Sequence, residues 1–146
     1  MSQLERAIEI AISAHRGALD KAGRPYILHP LSLMLRFRDL DAMIAAVLHD
    51  TVEDSDLTIE ELRDEGFSHT VIAAVDTLTR RESESYDAFI SRVSSDPIAR
   101  RVKLADLEHN MDLRRLGTLS PADVERLEKY HRAWRELRRR SSPEED

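Results

Sequence analysis

Apolar residues recur along this chain at helical spacing, and the polar stretches between them carry residues that begin helices. Thr58 and Glu61 have the spacing of a capping box, Ser68 precedes an apolar stripe, and Ser120 precedes Pro121. Residues that interrupt helices are scarce, with 4 glycines and 5 prolines among 146 residues. The sequence therefore predicts an all-α protein.

The same signals give approximate helix boundaries. The first predicted helix ends near Ala18 or Leu19, and His29 with Pro30 opens the next one. The remaining predicted helical segments are 31–37, 41–49, 58–62, 68–78, 86–93 and 120–140, with a polar loop at 79–85. Another predicted helix starts at Pro97 and includes Leu107. A chain of 146 residues fits one domain. We place this domain at residues 1–140 and expect a disordered tail at 141–146.

Charge and composition restrict the class of function. The net charge of −6 argues against broad binding of nucleic acid, but a small phosphorylated ligand needs only a local cluster of cations or a metal. The lack of cysteine excludes disulfides and thiolate zinc sites and fits a reducing compartment. We find neither a secretion signal nor an apolar run of membrane-spanning length. The expected location is cytoplasmic, without membrane contact, and the oligomeric state is left open.

The most informative residues for function are His49 and Asp50, at the end of an apolar stretch that begins at Ala45. Charged groups beside a hydrophobic segment are costly unless something compensates them. Glu53 and Asp54 follow Asp50 by three and four positions, so a continuous helix would place all three carboxylates on one face. A bound divalent cation would offset their repulsion. A solvated, acidic helix end is the alternative.

Two other residues stand out as possible metal ligands. His29 begins a helix after a loop, and Asp106 lies inside the apolar run 102–107, where a buried carboxylate needs a partner. Each also has a structural explanation, since His29 can be a helix-terminal histidine and Asp106 can pair with Lys103 or Arg101. Imidazole and carboxylate ligands without thiolate suit manganese, iron or another first-row ion better than a structural zinc.

Taken in order, His29, His49-Asp50 and Asp106 follow a known metal-binding pattern, and the chain resembles the HD-domain metal-dependent phosphohydrolases. It is most similar to the hydrolase domain of RelA/SpoT proteins and to the stand-alone small alarmone hydrolases. The resemblance rests on three blocks, which are residues 14–30, 46–54 and 102–111. It implies a compact, single-domain helical HD-domain fold. We expect a hydrolase without a synthetase or regulatory domain.

The resemblance also implies a role for individual residues. The implied ligands of one divalent metal ion, Mn(II), are His29, His49, Asp50 and Asp106. Glu53 and Asp54 would position and deprotonate the attacking water. Lys21 and Asn110 match positions that line the nucleotide pocket of the family. Such enzymes remove the 3′-pyrophosphate from guanosine tetra- or pentaphosphate, so the expected partner is a small-molecule nucleotide.

Other residues of the matched blocks receive structural roles. We assign His15 and His109 to hydrogen-bonded packing, because a histidine beside an apolar helix face is usually not a ligand. Tyr26 is expected to pack behind the site.

The chain departs from the family pattern at two positions near the expected nucleotide. Asp20 precedes Lys21 and Asp112 follows Met111, where the family tends to have basic residues. An anion beside a polyphosphate is repelled at close range, so the base preference stays open between guanine and adenine. The adenine alarmone ppApp and NADPH are therefore alternatives to (p)ppGpp. The arginines that could restore the lost charge are Arg16, Arg24, Arg114 and Arg115.

Three rival functions have different chemistry. One is an HD-type phosphohydrolase that acts on a nucleoside monophosphate, and another is a non-catalytic HD domain that senses a nucleotide. The third is a calcium-binding module, because residues 54–65 mimic the start of an EF-hand loop. However, Ile59 stands where that loop needs glycine for its sharp turn.

Overall fold

The fold is that of an all-helical protein, as predicted. In a computed structural model that describes residues 1–141, every named element is a helix. The helices are α1 (Gln3–Ala14), α2 (Leu28–Met34), α3 (Leu40–Leu48), α4 (Thr51–Asp54), α5 (Ile59–Asp64), α6 (His69–Leu78), α7 (Tyr86–Val93), α8 (Pro97–Asn110), a 3-10 helix (Leu113–Arg115) and α9 (Pro121–Arg140). The predicted tail lies outside the described residues except for Ser141. The domain boundary at residue 140 stays a prediction.

Helix α3 lies at the centre of the core and leads into the region of His49 and Asp50. It packs against α1, α2, α6 and α8. Its sequence, LDAMIAAVL, is almost entirely apolar, and Ala42 and every residue from Ile44 to Leu48 are buried. A helix that is apolar on most of its surface must be enclosed by others. None of the helices in residues 1–141 is long and apolar enough to cross a membrane.

The predicted helix starts are confirmed, because each rests on local hydrogen-bond chemistry. The side chains of Thr58, Ser68 and Ser120 accept hydrogen bonds from backbone N–H groups at the starts of α5, α6 and α9. At Thr58 and Ser120 the reciprocal side-chain bond of a capping box is also present. Helix α5 therefore begins inside the segment that mimics a calcium loop.

Two predicted helix ends are wrong. Helix α1 ends at Ala14 and not near Ala18 or Leu19. Gly17 adopts a φ of 78°, a left-handed conformation that glycine tolerates and that an α-helix cannot continue through. Helix α2 starts at Leu28 and ends at Met34, before the predicted residue 37.

We expect Ser120→Ala to lower the free energy of unfolding by about 1 kcal/mol, the usual cost of losing a helix N-cap. The Ser120 hydroxyl accepts the N–H of Asp123 at 3.2 Å, and the Asp123 carboxylate accepts the N–H of Ser120 at 2.8 Å, so the substitution opens this capping box at the start of α9. Urea denaturation measures the change. Ser83→Ala is the matched control, because Ser83 is exposed in the loop before α7. Equal stability of the two variants would contradict the capping role.

Candidate metal centre

Three side chains that are distant in sequence converge at one point. His29 lies in the first turn of α2, His49 directly follows α3, and Asp106 lies in α8. All three are buried, and one ligand atom from each lies within 4.8 Å of the others. Asp106 Oδ1 is 2.8 Å from His29 Nε2 and 3.5 Å from His49 Nε2. Two imidazoles and a carboxylate that face a common point form a donor set suited to a divalent transition metal.

Asp50 lies beside this cluster. Its Oδ2 atom is 3.6 Å from His49 Nε2 and accepts a hydrogen bond from the Tyr26 hydroxyl. Its Oδ1 atom is 3.1 Å from His15 Nε2, yet both atoms are buried without an aligned hydrogen-bond partner among the described residues. Buried polar atoms without partners are rare and call for an explanation such as a bound ion or a catalytic role. The side chains around Asp50 therefore fit a metal centre.

The rings of the two clustered histidines are oriented by contacts on their far sides. His49 Nδ1 is 2.8 Å from the carbonyl oxygen of Ala46. A carbonyl only accepts, so Nδ1 carries the proton and a neutral ring turns the lone pair of Nε2 towards the cluster. His29 Nδ1 is 2.7 Å from His109 Nδ1, so one of these two nitrogens donates to the other. His15 and His109, expected to have only structural roles, thus both touch predicted ligands.

The cluster holds negative charge that attracts cations. Burial alone would raise the pKa of Asp106, but Lys103, whose Nζ lies 2.8 Å from Oδ2, and the two histidines hold that pKa well below its usual value. Burial alone would lower the pKa of His49, but the carboxylates of Asp50 and Asp106 outweigh it and raise the pKa to about 9. At this point the attraction of the two carboxylates for a positive charge therefore exceeds the desolvation cost of burying that charge.

Glu53 and Asp54 have different surroundings. The helical path does not continue unbroken from His49 to Asp54, because α3 ends at Leu48 and Asp50, at φ −121°, separates it from α4. One helical bond from the Asp54 N–H to the Asp50 carbonyl, at 3.1 Å, still places Asp54 one turn beyond. Oxygen atoms of Asp54 and Asp50 and a ring nitrogen of His15 lie within 4.8 Å of one another. Burial and then Asp50 raise the pKa of Asp54.

Glu53 points to the loop between α6 and α7. Its Oε1 atom accepts the backbone N–H of Arg80 at 2.5 Å. Both carboxylates nevertheless line the cavity that also exposes His49 and Asp106. The two acids are thus available to the same cavity, with Asp54 beside Asp50 and Glu53 tied to Arg80.

Two cavities meet at this centre. The metal-side cavity, of about 250 Å³, is lined by His49, Asp50 and Asp106 and by cations on its other walls. The second, of about 350 Å³, is lined by leucines, by cations that include Lys21 and Arg115, and by three aspartates. Both cavities share Tyr26, Asn110 and Tyr130. The larger volume lies within the range of ligand pockets, and we call it the nucleoside-side cavity after the ligand that the sequence predicts.

The two predicted substrate-binding residues occupy different positions. Lys21 lines the nucleoside-side cavity, and burial and then Arg126 lower its pKa. Asn110 stands where the two cavities meet, and its Nδ2 donates to Asp106 Oδ1 at 3.1 Å. Asn110 therefore contacts the metal cluster as well as the space for a ligand.

The two unexpected aspartates are both engaged with positive groups. Asp20 Oδ1 accepts the backbone N–H groups of Ala22 and Arg24, each at 2.9 Å, and Oδ2 lies 3.2 Å from Arg115. These contacts, the Arg24 N–H first, lower the pKa of Asp20 despite some burial. Asp112 similarly binds the Arg114 guanidinium with both oxygens. Much of the anionic charge that these two aspartates bring to the predicted nucleotide site is thus offset within the protein.

Sequence reasoning did not find the contacts of Tyr26 and Lys103. Tyr26 was expected to pack behind the site, but its hydroxyl binds Asp50. Burial and Asp50 raise its pKa, so the hydroxyl keeps its proton and donates. Lys103 was considered only as a structural partner of Asp106, yet the pair lies inside the cluster and lines the metal-side cavity. Both residues lie in the sequence blocks that resemble the family, and this was the signal from which a role at the site could have been predicted.

Comparison with known proteins gives one matching family model. A model described as HD domain matches residues 7–124. A GTP pyrophosphokinase of Streptomyces coelicolor is 35% identical over 76% of this chain and 14% of its own length. A protein of Aquifex aeolicus named guanosine-3′,5′-bis(diphosphate) 3′-pyrophosphohydrolase is 35% identical over 75% of this chain and 17% of its own length. A protein of the same name from Haemophilus influenzae is 36% identical over 82% of this chain and 20% of its own length. The chain thus spans a fifth or less of the length of these relatives.

A solved structure shows the same fold. It belongs to a protein described as a metazoan ortholog of SpoT that hydrolyzes ppGpp, and the TM-score is 0.73. The match covers 94% of this chain and 85% of the other at 23% identity.

Proposed function

Because this chain belongs to the HD-domain family, we propose that it is a metal-dependent hydrolase that removes the 3′-diphosphate of (p)ppGpp or of its adenosine analogue ppApp. The observation that carries this proposal is the convergence of His29, His49 and Asp106, with Asp50 beside them, next to a cavity of nucleoside size. The substrate class follows from the two pyrophosphohydrolases among the relatives.

Four side chains would hold the metal, and these are His29, His49, Asp50 and Asp106. Their nitrogen and oxygen donors, without thiolate, suit Mn(II). When bound, such an ion lowers the pKa of water and neutralises charge that grows on phosphoryl oxygens. The Tyr26 hydroxyl holds Asp50 in place, and the Ala46 carbonyl fixes the tautomer of His49. These outer contacts keep the ligands in the orientation that binding requires.

The remaining residues act on water and substrate. Asp54, beside Asp50, is placed to take the proton of the attacking water, and Glu53 orients that water from the Arg80 side of the cavity. Lys21 and Asn110 line the route from the nucleoside to the metal cluster. The reaction consumes one water and yields pyrophosphate and a nucleoside 5′-phosphate with a free 3′-hydroxyl, which is GDP or GTP for the guanosine substrates.

A screen of ppGpp, ppApp, NADPH and nucleoside monophosphates with manganese tests this function. We expect pyrophosphate release from at least one 3′-diphosphate, loss of that activity with a chelator, and recovery on addition of Mn(II). Orthophosphate release from a monophosphate or from NADPH would instead identify another type of HD phosphohydrolase. Tight nucleotide binding without any product in a single-turnover assay of the metal-restored protein would identify a sensor. The cytoplasmic location stays a prediction.

A further inference from the structure

Two cations in the metal-side cavity have no anionic partner within residues 1–141. Lys129 of α9 and Arg80 of the loop before α7 both line this cavity. Among the described residues, neither side chain has a carboxylate within salt-bridge distance, although the protein as a whole carries a charge of −6. The Arg80 side chain donates a hydrogen bond to the carbonyl of Glu84, at 3.2 Å.

The ring of Tyr86 holds these two cations close together. Lys129 Nζ lies 4.5 Å from the ring centroid, and the Arg80 guanidinium carbon lies 5.6 Å from it. Both distances are within the range of cation–π contacts. Two like charges on one aromatic ring repel each other, and an anion placed between them removes that cost. Burial and the nearby cations Arg80, Lys103 and Arg126 lower the pKa of Lys129.

The position of this cation pair relative to the metal cluster determines what it can bind. The attacked phosphorus must reach His49, Asp50 and Asp106, which line the metal-side cavity. The nucleoside occupies the other cavity under the proposed function, on which this step rests. A phosphate attached beyond the attacked phosphorus therefore shares the metal-side cavity with Arg80 and Lys129.

We infer that Arg80 and Lys129, held by the ring of Tyr86, form a subsite for the outer phosphate of a 3′-diphosphate and for the pyrophosphate product. The subsite selects a diphosphate over a monophosphate at the 3′ position, because only the diphosphate reaches beyond the metal cluster. Arg80 and Lys129 bind the anion directly, and Tyr86 is a positioning residue that keeps both cations at the required place.

The direct test is the affinity of the whole, metal-loaded protein for inorganic pyrophosphate and orthophosphate, measured by calorimetry in a buffer that fixes free Mn(II). We expect Lys129→Gln and Arg80→Gln each to weaken pyrophosphate binding roughly tenfold, the value of one charge-assisted hydrogen bond. Orthophosphate binding should change less. Arg132→Gln removes the same charge from an exposed position of the same helix and should leave both affinities unchanged.

Tyr86 is tested with a conservative pair of variants. Tyr86→Leu should weaken pyrophosphate binding because the aromatic face is lost, and Tyr86→Phe should restore it because the ring remains. Loss of the hydroxyl should cost little, since the Tyr86 hydroxyl has no hydrogen-bond partner among the described residues. Metal content, measured on every variant, should stay constant.

The outcomes separate the subsite from the proposed function. Unchanged pyrophosphate affinity in Lys129→Gln and Arg80→Gln would overturn the subsite even if the wild-type protein hydrolyses ppGpp. Weakened pyrophosphate binding in these variants would support the subsite even if no 3′-diphosphate is hydrolysed, and the absence of hydrolysis would then contradict the proposed function alone. An equal loss of affinity in Arg132→Gln would show a general charge effect and overturn the subsite.

Discussion

Replacing Asp50 with alanine is expected to remove both the bound metal and the activity. Asp50 contributes a carboxylate at the edge of the buried cluster, 3.6 Å from His49 Nε2. Metal-assisted activation is worth several kcal/mol, so turnover should fall by about a thousandfold or more. Metal content by elemental analysis and turnover of a 3′-diphosphate measure the two effects. Removal of the carboxylate also leaves the Tyr26 hydroxyl and the His15 ring without their polar neighbour.

The matched control for this experiment is Asp87→Ala. Asp87 is an exposed aspartate in the first turn of α7, outside both cavities. It should keep wild-type metal content and turnover. A folded Asp50→Ala protein, checked by circular dichroism, that retains metal and activity would show that Asp50 is not a ligand.

The sequence predicted the helix starts better than the helix ends. A start is determined by one side chain and a backbone group three residues later, as at Ser68 and Ser120, so the information is local. The end of α1 depends on where the loop turns back. Gly17 at φ 78° and the bond from the Tyr26 N–H to the Ala18 carbonyl, at 2.8 Å, fold residues 18–26 into a short return. Apolar spacing alone does not show such a turn.

The site shows the same division between local and distant information. His49 and Asp50 were recognisable because they follow an apolar helix, and His29 and Asp106 because a known order links them. The contact of His29 with His109 joins residues 80 positions apart, and that of Tyr26 with Asp50 joins residues 24 apart. No local pattern predicts that a side chain crosses the core to one particular atom. These outer contacts could be identified only from the structure, although their residues lie within the sequence blocks that resemble the family.

Charge near the ligand could not be judged from residue types alone. Asp20 and Asp112 suggested repulsion of a nucleotide, but backbone N–H groups, Arg115 and Arg114 hold their carboxylates. Conversely, nothing in the sequence distinguishes Lys129 from the other cations of α9, and the fold leaves it without an anionic partner among the described residues. The effective charge of a site depends on which partners the fold supplies. This is why the sequence left the base preference open.

Substitution of the two acids of α4 is expected to separate proton transfer from water orientation. Asp54→Asn should keep the metal and lower turnover by about a thousandfold, within the usual range for loss of a general base. The reason is its position, because the Asp54 carboxylate lies beside Asp50 and His15. Glu53→Gln should also keep the metal and lose most turnover, by about a hundredfold, at the lower end of the effects seen for such groups. Its smaller effect follows from the Arg80 N–H, which the glutamine oxygen can still bind.

Metal content and the rate of the chemical step, measured in single turnovers, distinguish these roles from loss of a ligand. Glu60→Gln is the control, because Glu60 is an exposed acid in the first turn of α5 and lies outside both cavities. If Asp54→Asn lost its metal, Asp54 would belong to the ligand set and another group would have to accept the proton. If Asp54→Asn kept both metal and full turnover, the assignment of the base would be wrong, while the cluster of His29, His49 and Asp106 would still stand as the place where a metal binds.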